Sequence, residues 1–245
     1  MDIVAYLVNN NIFIEDNFVK PISDNRLDIN SQIELIVDVQ NKLMSNKDTI
    51  IPRINSTIGK DIENFRVQIK KVDKELNILK YSENKTDLEF YFLEEGLKIV
   101  ERAKKSLNSI NQEKYFELIR RSMKNYEMCL GRVDEGNLKI EDDGSIKIRT
   151  CKYISYNLIE HDLFSYIKRI KKRQYNIPIE EIIDEYINIA ELQNSSKEYL
   201  MAICSYPVES MKIIYKYKGE NNKENSDEWI KKLKLAIDID GDKLI

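Results

Sequence analysis

The chain has 245 residues, of which 42% are hydrophobic and 33% charged, and its 39 basic and 42 acidic side chains give a net charge of −3. This balance predicts neither nucleic-acid binding nor attraction to an anionic membrane surface. A single histidine excludes metal sites built from several histidines, and only 7 glycines argue against the glycine-rich loops of dinucleotide-binding folds.

The first 22 residues alternate loosely between apolar and polar positions. Val4, Tyr6 and Val8 precede an Asn-rich turn, and Ile12 and Ile14 follow it. This alternation predicts one or two short strands. The segment lacks the basic start and the long apolar run of a signal peptide. No stretch of the sequence approaches the roughly 20 apolar residues that are needed to cross a bilayer.

Helical periodicity dominates the rest of the chain and predicts a mainly α-helical protein. Thr86 and Glu89 form a capping box ahead of one helix. After Asn111 the apolar stripe includes Leu118 and Met123, which we expect in the core. The helical patterns begin near the following positions: Ser31, Ile62, Thr86, Asn111, Ile159, Pro178, Ser195, Val208 after Pro207, and Asn225.

Residues 127–155 interrupt this helical pattern and hold three of the seven glycines. Alternating apolar residues on both sides of the turn sequence Asp142-Asp143-Gly144 predict a β-hairpin over residues 137–149. A lone hairpin between helices, preceded by a loop that contains glycine, marks this segment as the place to look for chemistry.

Three cysteines complete the composition, and none of them is close to another in sequence. An odd number without close spacing predicts reduced, packed thiols rather than a disulfide framework. We therefore expect a cytoplasmic protein. The cysteines are Cys129, Cys151 and Cys204.

The order helix, loop, hairpin, loop, helix resembles the catalytic segment of kinase-like phosphotransferases. In the aminoglycoside phosphotransferase branch the loop reads H-G-D-x-x-x-x-N, and I-D-F-D follows the hairpin. Residues 130–137 read LGRVDEGN, so Gly131 and Asn137 match that spacing. The sequences YISY from Tyr153 and HDL from His161 resemble the spore-coat kinase-like proteins of the CotS type. Weaker similarity extends over residues 30–235.

The resemblance implies a protein-kinase-like C-terminal lobe over residues 30–245, with the hairpin at 137–149. Residues 1–29 would then be a short strand-like segment, either a remnant of the N-terminal lobe or hinge or a new element, and most or all of that lobe would be lacking. That lobe normally covers the phosphates and supplies a lysine to them. Only about 30 residues precede the first helix of the lobe, fewer than the ~50 residues of a small domain. We therefore expect no complete nucleotide clasp.

Three positions of the resembled site carry the wrong chemistry for phosphoryl transfer. Leu130 and Arg132 stand where the family has the loop histidine and the catalytic aspartate, and Thr150 stands where it has a metal-binding aspartate. Arginine cannot accept a proton and repels a divalent cation, and Mg²⁺ prefers carboxylates to a hydroxyl. We expect no catalytic residue, no bound cofactor and no Mg-ATP. The vestigial metal ligand Asn137 is expected to hold the loop instead.

Three cations, Arg132, Arg149 and Lys152, are placed by the resemblance where the metal and the phosphates would lie. Two interpretations stay open: an interior in which acids neutralise these cations, or an anion-binding site. The acids near enough in sequence to neutralise them are Asp134, Glu135 and Asp162.

The end of the helix that starts near Ile159 carries two further features. Its basic run, residues 168–173, is explained by complementarity to the helix dipole and by solubility. His161 and Asp162 occupy a position that, by resemblance, braces the loop from below, and we expect a structural His–Asp contact there rather than a catalytic role.

The prediction for the whole chain is a catalytically inactive pseudokinase with a structural or scaffolding role in spore-coat assembly. It would be made in the mother-cell cytoplasm and deposited in the coat. The alternatives are a small-molecule phosphotransferase whose N-terminal lobe comes from a partner, and a regulator of a complete paralogous kinase. Because a missing lobe exposes apolar surface, a protein partner or self-association is expected.

Overall fold

A computed structural model describes residues 2–15, 18, 29–45, 53–173, 177–219, 226–242 and 244–245. Helices hold most of these residues, and five short strands accompany them. The helices are α1 Ile3–Asn9, α2 Ile29–Ser45, α3 Lys60–Lys80, α4 Asp87–Asn108, α5 Gln112–Asn125, α6 Glu160–Lys172, α7 Ile179–Ile189, α8 Asn194–Ser205, α9 Val208–Gly219 and α10 Ser226–Asp240. The strands are β1 Ile12–Ile14, β2 Met128–Cys129, β3 Leu138–Ile140, β4 Ile146–Ile148 and β5 Ser155–Tyr156.

The chain divides into two compact units, and each is discontinuous in sequence. The first unit comprises Met1–Gly59 and Gln112–Leu200, and the second comprises Lys60–Asn111 and Met201–Ile245. The division of the chain at residues 29 and 30, with a strand-like segment before a helical lobe, stays a prediction.

The predicted hairpin supplies two strands of the first unit's three-stranded sheet, in which β4 is central. Strands β3 and β4 pair in antiparallel register, with Ile140 opposite Ile146. Gly144 has a φ of +76° in the turn, a conformation that side chains other than glycine rarely adopt. The predicted strand at β1 is also confirmed, and it pairs in parallel with β4, placing Ile12 beside Ile146.

The predicted strand over Val4, Tyr6 and Val8 is wrong, because these residues belong to helix α1. Tyr6 and Leu7 are buried, whereas Val4 and Val8 are 41% and 46% exposed. The Tyr6 hydroxyl donates to the backbone oxygen of Leu43 in α2 at 2.6 Å. An apolar alternation over only three positions is too short to separate a strand from one and a half helical turns.

The predicted helix starts lie within two residues of the observed ones, except the start at Asn225, which lies outside the described residues. Thr86 and Glu89 form the expected capping box at the start of α4, and Pro207 separates α8 from α9. The core prediction for α5 is partly wrong: Leu118 is buried, but Met123 is 64% exposed. Arg121 is half-buried because it binds the buried carboxylates of Glu127 and Glu160. This contact sets the rotation of α5 about its axis and leaves Met123 on the outer side.

A second, smaller sheet supports the segment before the loop. Strands β2 and β5 pair in antiparallel register, and the backbone of residues 55–57 extends this pairing through hydrogen bonds with Tyr156. A strand of two residues is too short to show a period of two, so neither strand could be predicted from the sequence.

The second unit is built from α3, α4, α9 and α10. Phe65 stacks on Tyr206, with ring centroids 3.9 Å apart. Arg102 in α4 donates to backbone oxygens of Ser205, Asp240 and Gly241 and so ties the end of α10 to this unit. Aromatic residues fill much of its interior, as aromatic side chains do where large apolar area must be buried.

Among the described residues, no helix combines the length and the apolar character that are needed to span a bilayer.

Candidate functional site

The loop of residues 130–137 connects β2 to β3 in the first unit. Gly131 has a φ of +73°, and a Cβ added there would lie 2.9 Å from the backbone oxygen of Tyr153. Both the backbone conformation and the lack of space require glycine at this position. The glycine that matched the phosphotransferase pattern therefore has a structural reason that does not depend on catalysis.

The Asp162 carboxylate holds this loop from α6. Its two oxygens accept hydrogen bonds from the backbone N–H groups of Leu130, at 3.0 Å, and Gly131, at 2.8 Å. Gln40 approaches the same carboxylate at 3.5 Å. Burial raises the pKa of Asp162 to about 6, against the opposing effect of these hydrogen bonds.

His161 and Asp162, which we expected to contact each other beneath the loop, hydrogen-bond different groups. Asp162 holds the loop, whereas the buried His161 ring hydrogen-bonds the Tyr199 hydroxyl of α8 at 2.8 Å. His161 therefore joins α6 to α8.

Asp134 is the most heavily engaged acid of the loop. Its carboxylate accepts from the Asn137 amide at 2.8 Å and from the Gly136 N–H at 3.2 Å. It is also paired with Arg169, at 2.9 Å, and with Arg173, at 3.5 Å. The Asp134 side chain is only 2% exposed. The hydrogen bonds and ion pairs from these donors offset the free-energy cost of removing the carboxylate from water.

Glu135, the next residue, is bound by the same helix. Arg173 donates to one of its oxygens at 2.8 Å, and the Tyr166 hydroxyl donates to the other at 2.9 Å. Burial and the nearby Glu135 raise the pKa of Tyr166, so its phenol stays a donor. Residues 166, 169 and 173 are spaced by three and four, so one face of α6 clamps the loop.

The basic run of residues 168–173 therefore does more than complement a helix dipole. Arg169 in α6 and Arg173, which caps this helix, bind the loop acids, and the sequence interpretation missed this role. Their spacing of four was a usable signal, because it presents two guanidinium groups on one face. Their partners depend on where α6 packs, which no local pattern fixes.

The cation cluster expected from the resemblance is not an ion-paired interior. The Arg132 guanidinium lies 4.1 Å from the centre of the Tyr153 ring and donates to its hydroxyl at 2.8 Å. Within the described chain, the exposed side chains of Arg149 and Lys152 make no ion pair. The interpretation of acids neutralising these three cations is wrong, because Arg169 and Arg173 engage the loop acids. The anion site stays a prediction.

The remaining predicted positions have local roles. Leu130 is buried and packs in the core. The Thr150 hydroxyl accepts from the backbone N–H of Lys152 at 3.2 Å, which closes a turn. Asn137 holds the loop through its amide, as expected, while its side-chain oxygen is buried without a hydrogen-bond partner in the described chain.

These residues do not fit the Mg²⁺ ions that the phosphotransferase resemblance implies. The carboxylate beside Asn137 is occupied by two arginines. Arg132 stands where the resemblance expects a base, and Thr150, where it expects a metal-binding aspartate, offers only a hydroxyl. No group of three or more His, Cys, Asp or Glu side chains arranged for a metal occurs among the described residues. The donor set is that of an ion-paired loop rather than of a hard cation, which takes oxygen ligands.

A second buried charge cluster supports the base of the loop. Arg121 binds Glu127, at 2.7 Å, and Glu160, at 2.8 Å, and it donates to the Ser196 hydroxyl at 2.9 Å. Burial raises the pKa of Glu127, and the guanidinium opposes that effect. The three charged residues come from α5, from the position before β2 and from α6. Their contact depends on how these elements pack, so it could not be predicted from their spacing in the sequence.

Comparison with known proteins finds similarity in structure but not in sequence. No protein-family profile and no curated protein matches the chain. Among solved structures it is similar to an aminoglycoside phosphotransferase from Alicyclobacillus acidocaldarius, with a TM-score of 0.66 and 9% sequence identity. The match covers 88% of this chain and 64% of that one. The chain therefore has the aminoglycoside phosphotransferase-like, kinase-like fold, and it spans less than two thirds of that protein's length.

The Arg169–Asp134 pair gives a first prediction. Replacing Arg169 by Met should lower the free energy of unfolding by about 1–3 kcal/mol, less than for a fully buried pair because Arg169 is 36% exposed. Denaturant unfolding measures the loss. The control, Arg66→Met at an exposed position, should change stability by no more than ~0.5 kcal/mol. Equal losses in the two variants would contradict the clamp.

The raised pKa of Asp162 gives a second prediction. Between its unfolded value of 3.8 and its folded value of about 6, the folded state holds a proton that the unfolded state releases. Stability should therefore fall as the pH rises from 3.8 to about 6 and stay level above it, by about 3 kcal/mol in total.

Unfolding measured from pH 4 to pH 7 for the wild type and for Asp162→Asn isolates this effect, since all other groups titrate in both proteins. The difference between the two curves should carry the slope. Parallel curves would show that Asp162 titrates at its ordinary pKa.

Proposed function

We propose that this chain is a catalytically inactive kinase-like protein whose former catalytic loop has become a structural junction. The observation that carries the proposal is the engagement of both loop carboxylates, Asp134 and Glu135, by arginines of α6. Phosphoryl transfer needs a carboxylate near the attacking hydroxyl and acids that hold Mg²⁺ on the phosphates. An acid locked to two guanidinium groups serves neither purpose.

The base position supports the same conclusion. Arg132 is always protonated, and its stacking on Tyr153 fixes a positive charge where a proton acceptor is needed. Loss of a general base alone costs a factor of about 10²–10⁴ in rate. With Thr150 at the metal position, a second and independent requirement of the reaction is missing.

The biological role that we propose is scaffolding in the spore coat, in the manner of the CotS-type kinase-like proteins. Support comes from the sequence resemblance over the loop, the hairpin and the start of α6. An inactive lobe that keeps its fold through ion pairs can still present a surface to other coat proteins. Manufacture in the mother cell and deposition in the coat belong to this proposal.

Loss of nucleotide binding is the first expectation from this function. The purified chain should show no thermal shift with Mg-ATP at up to millimolar concentration, because neither the metal acids nor a free loop carboxylate is available. An active aminoglycoside phosphotransferase serves as the positive control. A shift of several degrees, or transfer of labelled phosphate that Asn137→Ala abolishes, would contradict the proposal.

Recovery from spores is the second expectation. In the organism that carries this sequence, an antibody against the chain should detect it in the outer-layer extract of purified spores, and a cytoplasmic enzyme should be absent from the same extract. Detection in vegetative cells alone would refute the coat role while leaving the inactive loop untouched.

A further inference from the structure

Apolar side chains lie along one flank of the exposed face of α5. Phe116 and Met123 are 55% and 64% exposed, and Tyr126, just past the helix, is 55% exposed. Phe116 and Met123 are seven residues apart, which places them on one side of an α-helix. This is the same Met123 that the periodicity assigned to the core, so the helix is apolar on a face that its own unit leaves open.

The charges on this face are segregated by sign. Glu113 and Glu117 lie in the first half of the helix, and Arg120 and Lys124 lie in the second half, all of them exposed. Each pair repeats one sign at a spacing of four, an arrangement that is mildly repulsive within a single helix. Within the described chain, none of the four side chains forms an ion pair.

Other exposed helix faces of this protein show the opposite arrangement. Four helical ion pairs join opposite charges at a spacing of four: Asp38 with Lys42, Glu94 with Lys98, Glu101 with Lys105, and Glu228 with Lys232. The helix dipole favours acids at the start of α5 and bases at its end. It does not explain an exposed Phe and Met beside these charges.

We propose that this face of α5 binds the same face of a second copy of the chain, in antiparallel orientation about a two-fold axis. Such a rotation sets the acidic half of one helix against the basic half of the other and brings Phe116 towards Met123 of the second copy. The face is complementary to itself only in this orientation, which is the requirement of an isologous dimer. The inference goes beyond the proposed function and does not depend on loss of catalysis.

The expected affinity is modest. A helix of 14 residues is about 20 Å long, so the contact is small compared with that of obligate dimers. The salt dependence should be marked, because the four charge pairs between the two helices would be screened at high ionic strength.

Sedimentation equilibrium of the full chain tests the proposal through complementary charge variants. The wild type should approach twice the 29.0 kDa chain mass as its concentration rises to about 100 μM. Glu113→Lys with Glu117→Lys makes the face wholly basic, and Arg120→Glu with Lys124→Glu makes it wholly acidic. Each double variant alone should stay monomeric, and an equimolar mixture of the two should form dimers again.

A matched pair of aromatic substitutions locates the contact. Phe116→Glu should abolish the dimer, whereas Phe90→Glu, at a Phe of similar exposure on α4, should leave it intact. Circular dichroism checks that all variants keep their helix content. A wild type that stays monomeric at every concentration, double variants that dimerise alone, or a Phe116→Glu protein that still dimerises would overturn the proposal.

Discussion

The buried Asp162 carboxylate is the interaction on which the rest of the site depends. It takes the backbone N–H groups of Leu130 and Gly131, which fixes the entry of the loop above α6. Gln40 of α2 touches the same carboxylate, donates to the Ile159 backbone oxygen and accepts from the Tyr186 hydroxyl. The buried Asp162 carboxylate thus connects the loop, α2 and α6, whose local sequences do not specify that they meet. By fixing the start of the loop, it also positions the loop acids near α6.

The arrangement of charges in the loop and α6 is the reverse of that in kinase-like enzymes. In kinase-like enzymes carboxylates surround a cation that comes with the nucleotide. Here Arg169 and Arg173 surround carboxylates that belong to the chain. The Asp134 and Glu135 carboxylates are paired with side chains of the chain itself, and these ion pairs hold the loop against α6.

Local rules account for the parts of the fold that the sequence predicts. The hairpin around Gly144 and the capping box at Thr86 are set by a few adjacent residues, and both are found. The first helix was mistaken for a strand because its identity rests on the distant contact of Tyr6 with α2. The partners of Arg169 and Arg173 were missed for the same reason: spacing shows which face they share, but only packing decides what meets that face.

The parallel pairing of β1 with β4 bears on how the chain is made. Strand β1 precedes α2, α3, α4 and α5 in the chain, and its partner β4 follows only after all four of these helices have been synthesised. Because both units are interleaved in sequence, neither can finish folding before its second segment emerges. Strand β1 therefore stays unpaired until β4 has been synthesised. Truncated chains that end before β4 would leave β1 unpaired and so prone to aggregation or to binding by chaperones.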